Sequence, residues 1–215
     1  MDMPPFMNKP QPIRQPLREE DMPPTPWPLF TAWLDEARGS NDVYEPGAMT
    51  LATATLDGRP SARVVLMRGY DERGLCFYTN YDSRKGIELA YNARAAFVFW
   101  WGALGRQIRG GGGIERLTAE ESDVYYHSRP LGSRLGAWVS PQSQVIASRA
   151  VLEAELHRLE AQYADHAPQR PANWGGYRLA PEQFEFWQSA PYRLHDRLCY
   201  TRQADGAWTL VRLAP

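Results

Sequence analysis

The feature that most constrains the fold is a set of segments with a period of two residues, separated by tight turns. Residues 49–55 alternate between apolar and polar side chains, Asp57-Gly58 follows, and residues 62–67 continue as an apolar, β-branched run. Such alternation places successive side chains on opposite faces of a strand, and Asp-Gly between two such runs is typical of a hairpin. This stretch therefore predicts two antiparallel strands.

The same pattern returns along most of the chain. Asp71-Glu72-Arg73-Gly74 gives a second turn signal, and Asp205-Gly206 gives a last one. The segments around these turns predict further strands at residues 75–79, 95–101, 106–108, 176–179, 183–187, 198–202 and 207–212. Because strands do not alternate regularly with helices, we expect a mainly β protein, built as an antiparallel β-barrel with peripheral helices.

Four helices are predicted around this barrel. Thr25-Pro26 places a capping residue before a proline at the first helical position, and this helix should end before Gly39. A short second helix is expected at residues 83–91. Thr118 and Glu121 form a capping box that opens a third helix, and the fourth covers about residues 148–163 with an apolar stripe.

Composition narrows the classes of function. The 215 residues include 24 Lys and Arg against 25 Asp and Glu, and the net charge of −1 argues against a general nucleic-acid-binding protein. No apolar run approaches the roughly 18 residues of a membrane helix. The four histidines have no metal-ligand spacing, so we expect no metal site.

Two further expectations concern compartment and domains. Cys76 and Cys199 are the only cysteines and form no C-x-x-C pair, which favours a reduced, cytoplasmic protein. The Pro-rich, polar start predicts a flexible N-terminal arm over residues 1–24. One domain should then cover residues 25–215.

The segment Arg193-Leu194-His195-Asp196-Arg197 alternates basic residues with others. If it is extended, Arg193, His195 and Arg197 share one face. Two fixed cations and an imidazole there suit an anionic ligand that also exchanges a proton. A charged edge strand would show the same pattern. These five residues alone leave both interpretations open.

A second candidate lies at the start of the short helix at residues 83–91. Ser83 can cap this helix, and Arg84 and Lys85 then occupy the first turn, where cations oppose the helix dipole. An anion such as a phosphate, bound at the helix start, explains these basic residues better than an incidental surface turn does.

Two arginines and a glutamine are weaker candidates. Arg63 and Arg68 flank the apolar residues 64–67, where a buried arginine would need a partner. Both could equally lie at strand ends in water. The amide of Gln107 could hydrogen-bond the edge of a heterocycle.

Hydroxyls and a guanidinium gather near the end of the third helix. Tyr125 and Arg129 are four residues apart and can share a helical face, and with Ser133 they could hold a second phosphate. An ordinary helix end, where a cation is favourable, explains the group at least as well.

Taken in order, these segments resemble the pyridoxamine/pyridoxine 5′-phosphate oxidases. The resemblance covers about residues 28–215 and rests on the ordered set rather than on one motif. Its most specific parts are Ser83-Arg84-Lys85, Arg106-Gln107, His127-Ser128-Arg129-Pro130 and the segments at residues 136–143, 185–188 and 193–197. It implies the antiparallel, Greek-key FMN-binding split barrel of that family, and a homodimer with FMN at the subunit interface.

Matched position by position, the resemblance implies two sets of binding residues. FMN would be held by Arg63, Val64, Val65, Leu66, Met67, Arg68, Tyr78, Thr79, Ser83, Arg84, Lys85, Gln107, Gln142, Ser143, Trp187 and Arg197. The substrate would be held by Arg68, Tyr125, Arg129, Ser133, Arg193, Leu194 and His195. Arg193 and His195 would be the catalytic residues.

The implied reaction oxidises pyridoxamine or pyridoxine 5′-phosphate to pyridoxal 5′-phosphate, with O2 as the acceptor and H2O2 as a product. Ammonia is also released from the amine. Two alternatives remain: a related FMN oxidase of another substrate, of the phenazine-pathway type, and a non-catalytic flavin- or pyridoxal-phosphate-binding protein.

The chain departs from the family pattern at three places. In the N-terminal arm, Arg14 is not followed by the tyrosine of the Arg-x-x-Tyr element that closes over the substrate in some members, so closure by this arm is not expected. Arg68 stands where a lysine is usual, so a planar fork replaces a point charge. Gly110-Gly111-Gly112-Gly113 replaces a β-branched and acidic strand, which predicts a bulge or a flexible edge.

Overall fold

The computed structural model describes residues 14–215, and residues 1–13, the start of the predicted arm, lie outside the described residues. Within residues 14–215, eight strands form one antiparallel sheet. The strands are β1 (Ala48–Ala54), β2 (Pro60–Asp71), β3 (Gly74–Asn80), β4 (Arg94–Trp101), β5 (Arg106–Arg116), β6 (Trp174–Gln188), β7 (Asp196–Arg202) and β8 (Trp208–Arg212). The expected mainly β class is confirmed.

Five α-helices accompany these strands in the described part of the chain: α1 (Pro26–Gly39), α2 (Arg84–Tyr91), α3 (Ala119–Ser128), α4 (Leu131–Val139) and α5 (Arg149–Gln162). The sequence does not predict α4, because this helix has two glycines and no side-chain cap. On α5 only Leu159 is buried, so the expected apolar stripe does not reach the core. Over residues 14–215, no helix has both the length and the hydropathy to span a membrane.

The strand order closes the sheet into a barrel. The order is β3-β2-β1-β4-β5-β6-β7-β8, and an additional pairing of β3 with β6 closes the first six strands. β4 returns beside β1 after the β1–β2–β3 meander, which is the expected Greek-key arrangement. β7 and β8 extend the sheet beyond the barrel from β6.

Aromatic side chains fill the barrel and attach α1 to it. The fully buried rings of Phe97 and Phe184 meet at a centroid distance of 5.2 Å. From α1, Phe30 contacts Phe184 at 5.6 Å and Trp33 contacts Phe186 at 5.3 Å, both edge to face. This geometry is favourable for aromatic pairs and fixes the helix against the barrel.

The glycine run at residues 110–113 lies in the middle of the sheet. β5 pairs with β4 on one side and β6 on the other, so the expected flexible edge is wrong. The expected bulge is confirmed by a register shift between Gly111 and Gly112. Glycine is required here because a Cβ on Gly112 would overlap the carbonyl oxygen of Ala180 on β6.

The same bulge makes β6 one continuous strand. The sequence predicts a break between residues 179 and 183, where Pro181 cannot donate a ladder hydrogen bond. In the structure Pro181 is the register partner of Gly112, and Glu182 is the extra residue. A central strand tolerates proline at a bulge, so the strand does not end there.

The expected extended conformation of residues 193–197 is wrong in its first half. Pro191–Arg193 form a 3-10 turn, in which Tyr192 and Arg193 have left-handed φ values of 58° and 62°. β7 begins only at Asp196, so Arg193 does not share a strand face with Arg197. The chain needs this turn because Gln188 on β6 is already the register partner of Asp196.

The described part of the predicted arm contacts the domain beside β7. The side chain of Gln188 donates to the carbonyl oxygen of Gln15 at 2.8 Å, and the backbone N–H of Leu17 donates to Asp196 at 3.1 Å. Arg212 donates to Asp196 at 2.7 Å and to Glu19 at 2.8 Å. The arm, β7 and β8 are thus joined through the carboxylate of Asp196.

We expect Gly112→Ala to lower the free energy of unfolding by about 1–3 kcal/mol, because the methyl group must displace β6. Gly113→Ala is the matched control, since no atom lies within 4 Å of its added carbon, and it should stay within about 0.5 kcal/mol of the wild type. Urea unfolding followed by tryptophan fluorescence measures both. Equal losses would contradict the packing explanation.

Candidate functional site

A cleft of about 600 Å³ opens on one side of the barrel. It lies between β2, the end of β3, the start of α2 and the segment that joins α3 to α4. The cleft is lined by Arg63, Val64, Val65, Leu66, Arg68, Tyr78, Thr79, Lys85, Tyr125, Ser128, Arg129, Pro130, Ser133, Gln142 and Trp174. All but Ser128, Pro130 and Trp174 are among the residues that the sequence analysis singled out. None of the lining residues is acidic.

Lys85 is the most buried of the four cations that line the cleft. Ser83 caps α2 by accepting a hydrogen bond from the Gly86 N–H at 3.3 Å, as expected, and this places Lys85 in the first turn. The Lys85 ammonium donates to the Thr79 hydroxyl at 3.0 Å and to the Gln142 side-chain oxygen at 2.7 Å. Residues from three separate segments therefore meet at one ammonium group.

The electrostatics at Lys85 favour an anion. Burial, together with the charge of Arg63, lowers the pKa of Lys85 to about 8, although Glu88 opposes the shift. The hydrogen-bond partners of Lys85 are hydroxyl and amide oxygens, and none is a carboxylate. A bound anion would supply a contacting counter-charge and stabilise the charged form.

Three nearly parallel aromatic rings form one wall of the cleft. Tyr78 stacks on Tyr125 at a centroid distance of 3.8 Å, and Trp174 lies 5.7 Å from Tyr78 and 6.2 Å from Tyr125. The guanidinium carbon of Arg129 is 4.7 Å from the centre of the Trp174 ring, within cation–π range. Burial raises the pKa of Tyr78 to about 12, so its hydroxyl stays protonated.

Arg129 caps the C-terminus of α3 and lines the cleft together with Tyr125 and Ser133. Burial lowers the pKa of Arg129, and the charge of Arg68 contributes to the lowering. Its Nη1 atom is buried and has no hydrogen-bond partner among the described residues. Two guanidinium groups therefore lie near one another without a compensating carboxylate in the lining.

Trp174 is the main lining residue that the sequence analysis misses. It is the register partner of Asn80 on β3, which brings it to the Tyr78 side of the barrel. The sequence feature that could have identified Trp174 is the Gly175-Gly176 pair that follows it. A Cβ on Gly176 would crowd the ring of Tyr78, so this pair marks a close approach between strands.

A second group of expected residues lies where β5, β6 and β7 run side by side. Gln107 is the register partner of Trp187, and Trp187 is that of Arg197. Glu185 accepts from the Arg197 guanidinium at 2.9 and 3.1 Å, and the His195 ring lies 4.6 Å from the Trp187 ring. The β5–β7 cluster, as we call it, consists of Gln107, Trp187, His195 and Arg197.

The loop before β7 presents His195 and Arg193. The backbone N–H of Ala190 donates to Nδ1 of His195 at 3.1 Å, so the neutral imidazole carries its proton on Nε2. Arg193 is exposed, and it follows Tyr192 in a pair of left-handed residues. Left-handed backbone at non-glycine residues is strained and often marks a functional loop.

The cleft and the β5–β7 cluster are separate within one chain. Tyr78 on the cleft wall is the register partner of Gly176, whereas Trp187 lies eleven residues further along β6. At about 3.3 Å per residue this is roughly 35 Å of strand. No member of the cluster lines the cleft.

Six expected residues belong to neither group, and one of them is the exposed Arg193 described above. Met67 is buried in the core, and Ser83 is buried where it caps α2. Arg84 is exposed in the first turn of α2, and Leu194 is exposed in the loop before β7. Ser143 is exposed with a left-handed φ of 72°.

The arrangement in the cleft suits a flat ligand with more than one negative charge. Arg63, Arg68, Lys85 and Arg129 line it, no acidic residue is part of the lining, and the ring wall offers a stacking surface. Within residues 14–215, no group of three His, Cys, Asp or Glu side chains could hold a metal ion. The chemistry available is anion binding beside an aromatic surface.

A closed, six-stranded split barrel with helices at its rim is the class of fold that this chain adopts. The family model described as pyridoxamine 5′-phosphate oxidase matches residues 41–163. A second model, described as the pyridoxine 5′-phosphate oxidase C-terminal dimerisation region, matches residues 174–215. The chain therefore belongs to the pyridoxamine 5′-phosphate oxidase family.

Individual relatives agree with this assignment. A pyridoxine/pyridoxamine 5′-phosphate oxidase of Pseudomonas paraeruginosa is 56% identical over 203 residues, 94% of each chain. One of Thermosynechococcus vestitus is 55% identical over 202 residues, again 94% of each chain. Among solved structures, PhzG of Burkholderia lata 383 in complex with tetrahydrophenazine-1-carboxylic acid is 35% identical with a TM-score of 0.88, and the match covers 94% of this chain and 99% of PhzG.

We expect the affinity of the cleft for sulfate to fall as the pH rises through about 8, the pKa of Lys85. Lys85 is charged below this pH, and sulfate keeps its own charge, so the loss reports the lysine. Calorimetric titration from about pH 6.5 to 9.5 measures it.

One variant tests this assignment and a second serves as its control. Lys85→Met should bind sulfate weakly and without an inflection near pH 8. Arg158→Gln, which removes an exposed cation of α5 paired with Glu155, should keep the wild-type profile. An inflection that persists in Lys85→Met would contradict the assignment.

Proposed function

We propose that the protein is an FMN-dependent oxidase that converts pyridoxamine and pyridoxine 5′-phosphate to pyridoxal 5′-phosphate, with O2 as the electron acceptor. The observation that carries the proposal is the cleft itself. Four cations and a wall of stacked aromatic rings line it, and no lining residue is acidic. Two phosphate groups and two flat rings are the ligands that this reaction brings together.

The residues present fit FMN. Lys85 makes hydrogen bonds only to neutral oxygens, and with Arg63 and the start of α2 it forms an end of the cleft suited to a phosphate. Gln107, Trp187 and Arg197 offer an amide, a ring and a cation suited to the flavin edge. FMN held there would supply the redox chemistry: it would accept a hydride equivalent from C4′ of the substrate, and O2 would take up the two electrons and be reduced to H2O2.

The substrate phosphate would bind at the Arg129 end of the cleft. Arg129 has a buried nitrogen without a hydrogen-bond partner in the described residues, and Arg68, Tyr125 and Ser133 line the same region. Here a dianion would offset the electrostatic repulsion between two neighbouring guanidinium groups. The planar fork of Arg68 can hold phosphate oxygens as the usual lysine does, with different geometry.

Arg193 and His195 would act on the substrate ring. Arg193 is exposed on a strained loop, where it can orient the polar groups of a ligand that meets this face. His195 has its Nδ1 occupied by the Ala190 N–H, so Nε2 is the atom free to hold or move a proton. Arg193 would therefore orient the substrate, and His195 would hold or move the proton at the reacting carbon.

One complete site would take residues from two subunits. In a single chain, no member of the β5–β7 cluster lines the cleft. Three of its members, Trp187, His195 and Arg197, lie within residues 174–215, which match the dimerisation region of the family. In a homodimer, the cleft of one copy can face the cluster of the other, which forms two equivalent sites.

The alternative is a related FMN oxidase of a substrate without phosphate, which the similarity to PhzG favours. The molecule bound to PhzG in that structure, tetrahydrophenazine-1-carboxylic acid, carries no phosphate. Such a substrate would leave Arg68 and Arg129 without a dianion between them. The Arg129 end of the cleft therefore favours the phosphorylated substrate.

We expect the purified protein to show flavin absorbance with FMN, and to produce aldehyde and H2O2 from pyridoxine 5′-phosphate. Pyridoxine, which lacks the phosphate, should react with a kcat/KM at least about 100-fold lower, because charge-assisted hydrogen bonds are lost. Absorbance and a coupled peroxide assay measure both. Bound FMN without turnover would support a binding protein, and equal rates with and without phosphate would support the alternative.

A mixed-dimer experiment tests the shared site. Arg129→Ala alters the cleft and Arg193→Ala alters the loop, and each variant alone should lose about 100-fold in kcat/KM. When the two are co-expressed, mixed dimers should contain one site with neither change. Random pairing then predicts recovery to about a quarter of the wild-type turnover.

The controls for this experiment are simple. Each variant mixed with itself should show no recovery, and both should retain FMN absorbance. If every site came from a single copy, the mixed dimers would be as inactive as their parents.

A further inference from the structure

We propose that Glu88 is the positioning residue of the phosphate end of the cleft, where it holds Arg63 and Arg84 in place for the phosphate of FMN. Glu88 does not line the cleft, and it is outside the set of expected binding residues. The inference rests on the proposed function, because it assigns a role to this carboxylate within the same site.

Glu88 is a buried carboxylate with donors on both oxygens. Its side chain is 4% exposed. One oxygen, Oε2, accepts from the hydroxyls of Thr53 and Ser61 and from the Arg63 guanidinium, the last at 3.2 Å. The other, Oε1, accepts from the Arg84 guanidinium at 2.9 Å. A carboxylate so well supplied with donors holds its partners in fixed positions.

Glu88 lies on α2, and its contacts join β1 to β2 and α2, the two elements that contribute cations to this end of the cleft. Thr53 is on β1, Arg63 is on β2, and Arg84 is in the first turn of α2 beside Lys85. Arg63 is held further by the Leu51 carbonyl oxygen at 3.1 Å and by Thr53 at 2.6 Å. Glu88 therefore fixes the distance between the cation of β2 and the cations of α2.

The charges at this end match a phosphate. Arg63, Arg84 and Lys85 carry three positive charges, and Glu88 carries one negative charge. Although burial opposes ionisation, hydrogen bonds from Ser61, Thr53 and Arg84 lower the pKa of Glu88 to about 2. The net charge of two positive units is the complement of a phosphomonoester, which carries about −1.5 to −2 near neutral pH.

A purely structural role would be to tie α2 to the barrel. The two roles differ in what they do to flavins with and without phosphate. Loss of a tie between α2 and the barrel would weaken FMN and riboflavin alike, because both share the ring system. Loss of a positioning residue for the phosphate cations would weaken FMN alone.

The test is a fluorescence titration of the apoprotein with FMN and with riboflavin. Glu88→Ala should raise the Kd for FMN about tenfold, because Arg63 and Arg84 lose a charge-assisted partner. The Kd for riboflavin should change less than about twofold, since it has no phosphate to place. Urea unfolding of the apoprotein shows whether the fold is intact.

The variant Glu88→Gln distinguishes the contribution of Arg63 to FMN binding from that of Arg84. Its amide oxygen can take the place of Oε2 and keep the bonds from Thr53, Ser61 and Arg63, while its NH2 group replaces the acceptor of Arg84. Because Arg84 is exposed and Arg63 lines the cleft, this variant should recover most of the FMN affinity. We expect a Kd within about threefold of the wild type.

A matched control removes a carboxylate from another arginine. Glu115 accepts from Arg178 at 2.8 Å, and Arg178 retains a second carboxylate in Glu121. Glu115→Ala should leave both flavin affinities unchanged, since neither residue lines the cleft. If Glu88→Ala does not fold, Ser61→Ala removes a hydroxyl that touches both Glu88 and Arg63, and it should raise the FMN Kd alone about threefold.

The outcomes are distinguishable. A Glu88 or Ser61 variant that binds FMN as tightly as the wild type, or that loses FMN and riboflavin affinity equally, overturns the role of Glu88 and leaves the proposed function standing. A wild-type protein that binds no FMN overturns both. Selective loss of FMN affinity, restored by Glu88→Gln, supports the positioning role.

Discussion

The pairing of β3 with β6 is the constraint on which the rest of the structure depends. It closes the barrel, and it brings Tyr78 and Thr79 beside the start of β6. Since α2 begins four residues after β3 ends, the same pairing fixes where Lys85 lies. There its ammonium group donates to the neutral oxygens of Thr79 and Gln142.

Burial of positive charge is the physical basis of the site. Lys85 and Arg129 both have pKa values lowered mainly by burial, so the free protein bears a cost that a bound anion would relieve. Two contacts within the protein already offset part of this cost. Glu88 neutralises part of the charge at the Lys85 end, and the ring of Trp174 supports Arg129 at the other. The protein thus prepares two positive regions at a fixed separation.

Much of the fold follows from local patterns in the sequence. Period-two segments, Asp-Gly turns and the caps at Ser83 and Thr118 predict the strands of the barrel and four of the helices. The errors arise where tertiary contacts override local preference. Gly112 and Pro181 look like breaks, yet they lie in neighbouring central strands because a bulge accommodates both.

The site was predictable in its residue types and less so in its geometry. Lys85 and Arg129 were expected from short motifs, because a charge at a helix start or end is a local signal. Tyr78, Thr79 and Gln142 were expected only from the family resemblance. Trp174 was missed because its place in the cleft depends on its register partner across the sheet. The extended form of residues 193–195 failed because the turn into β7 uses left-handed residues that are not glycine.

Because the cleft and the β5–β7 cluster are separate in one chain, we infer that one active site is built from two copies of the chain. A crystal structure of the protein with FMN tests it most directly. The account predicts the FMN phosphate within hydrogen-bond distance of Lys85 in one copy, and the flavin edge against Gln107 and Trp187 of a second copy. A flavin bound entirely by one copy, or bound away from Lys85, would contradict it.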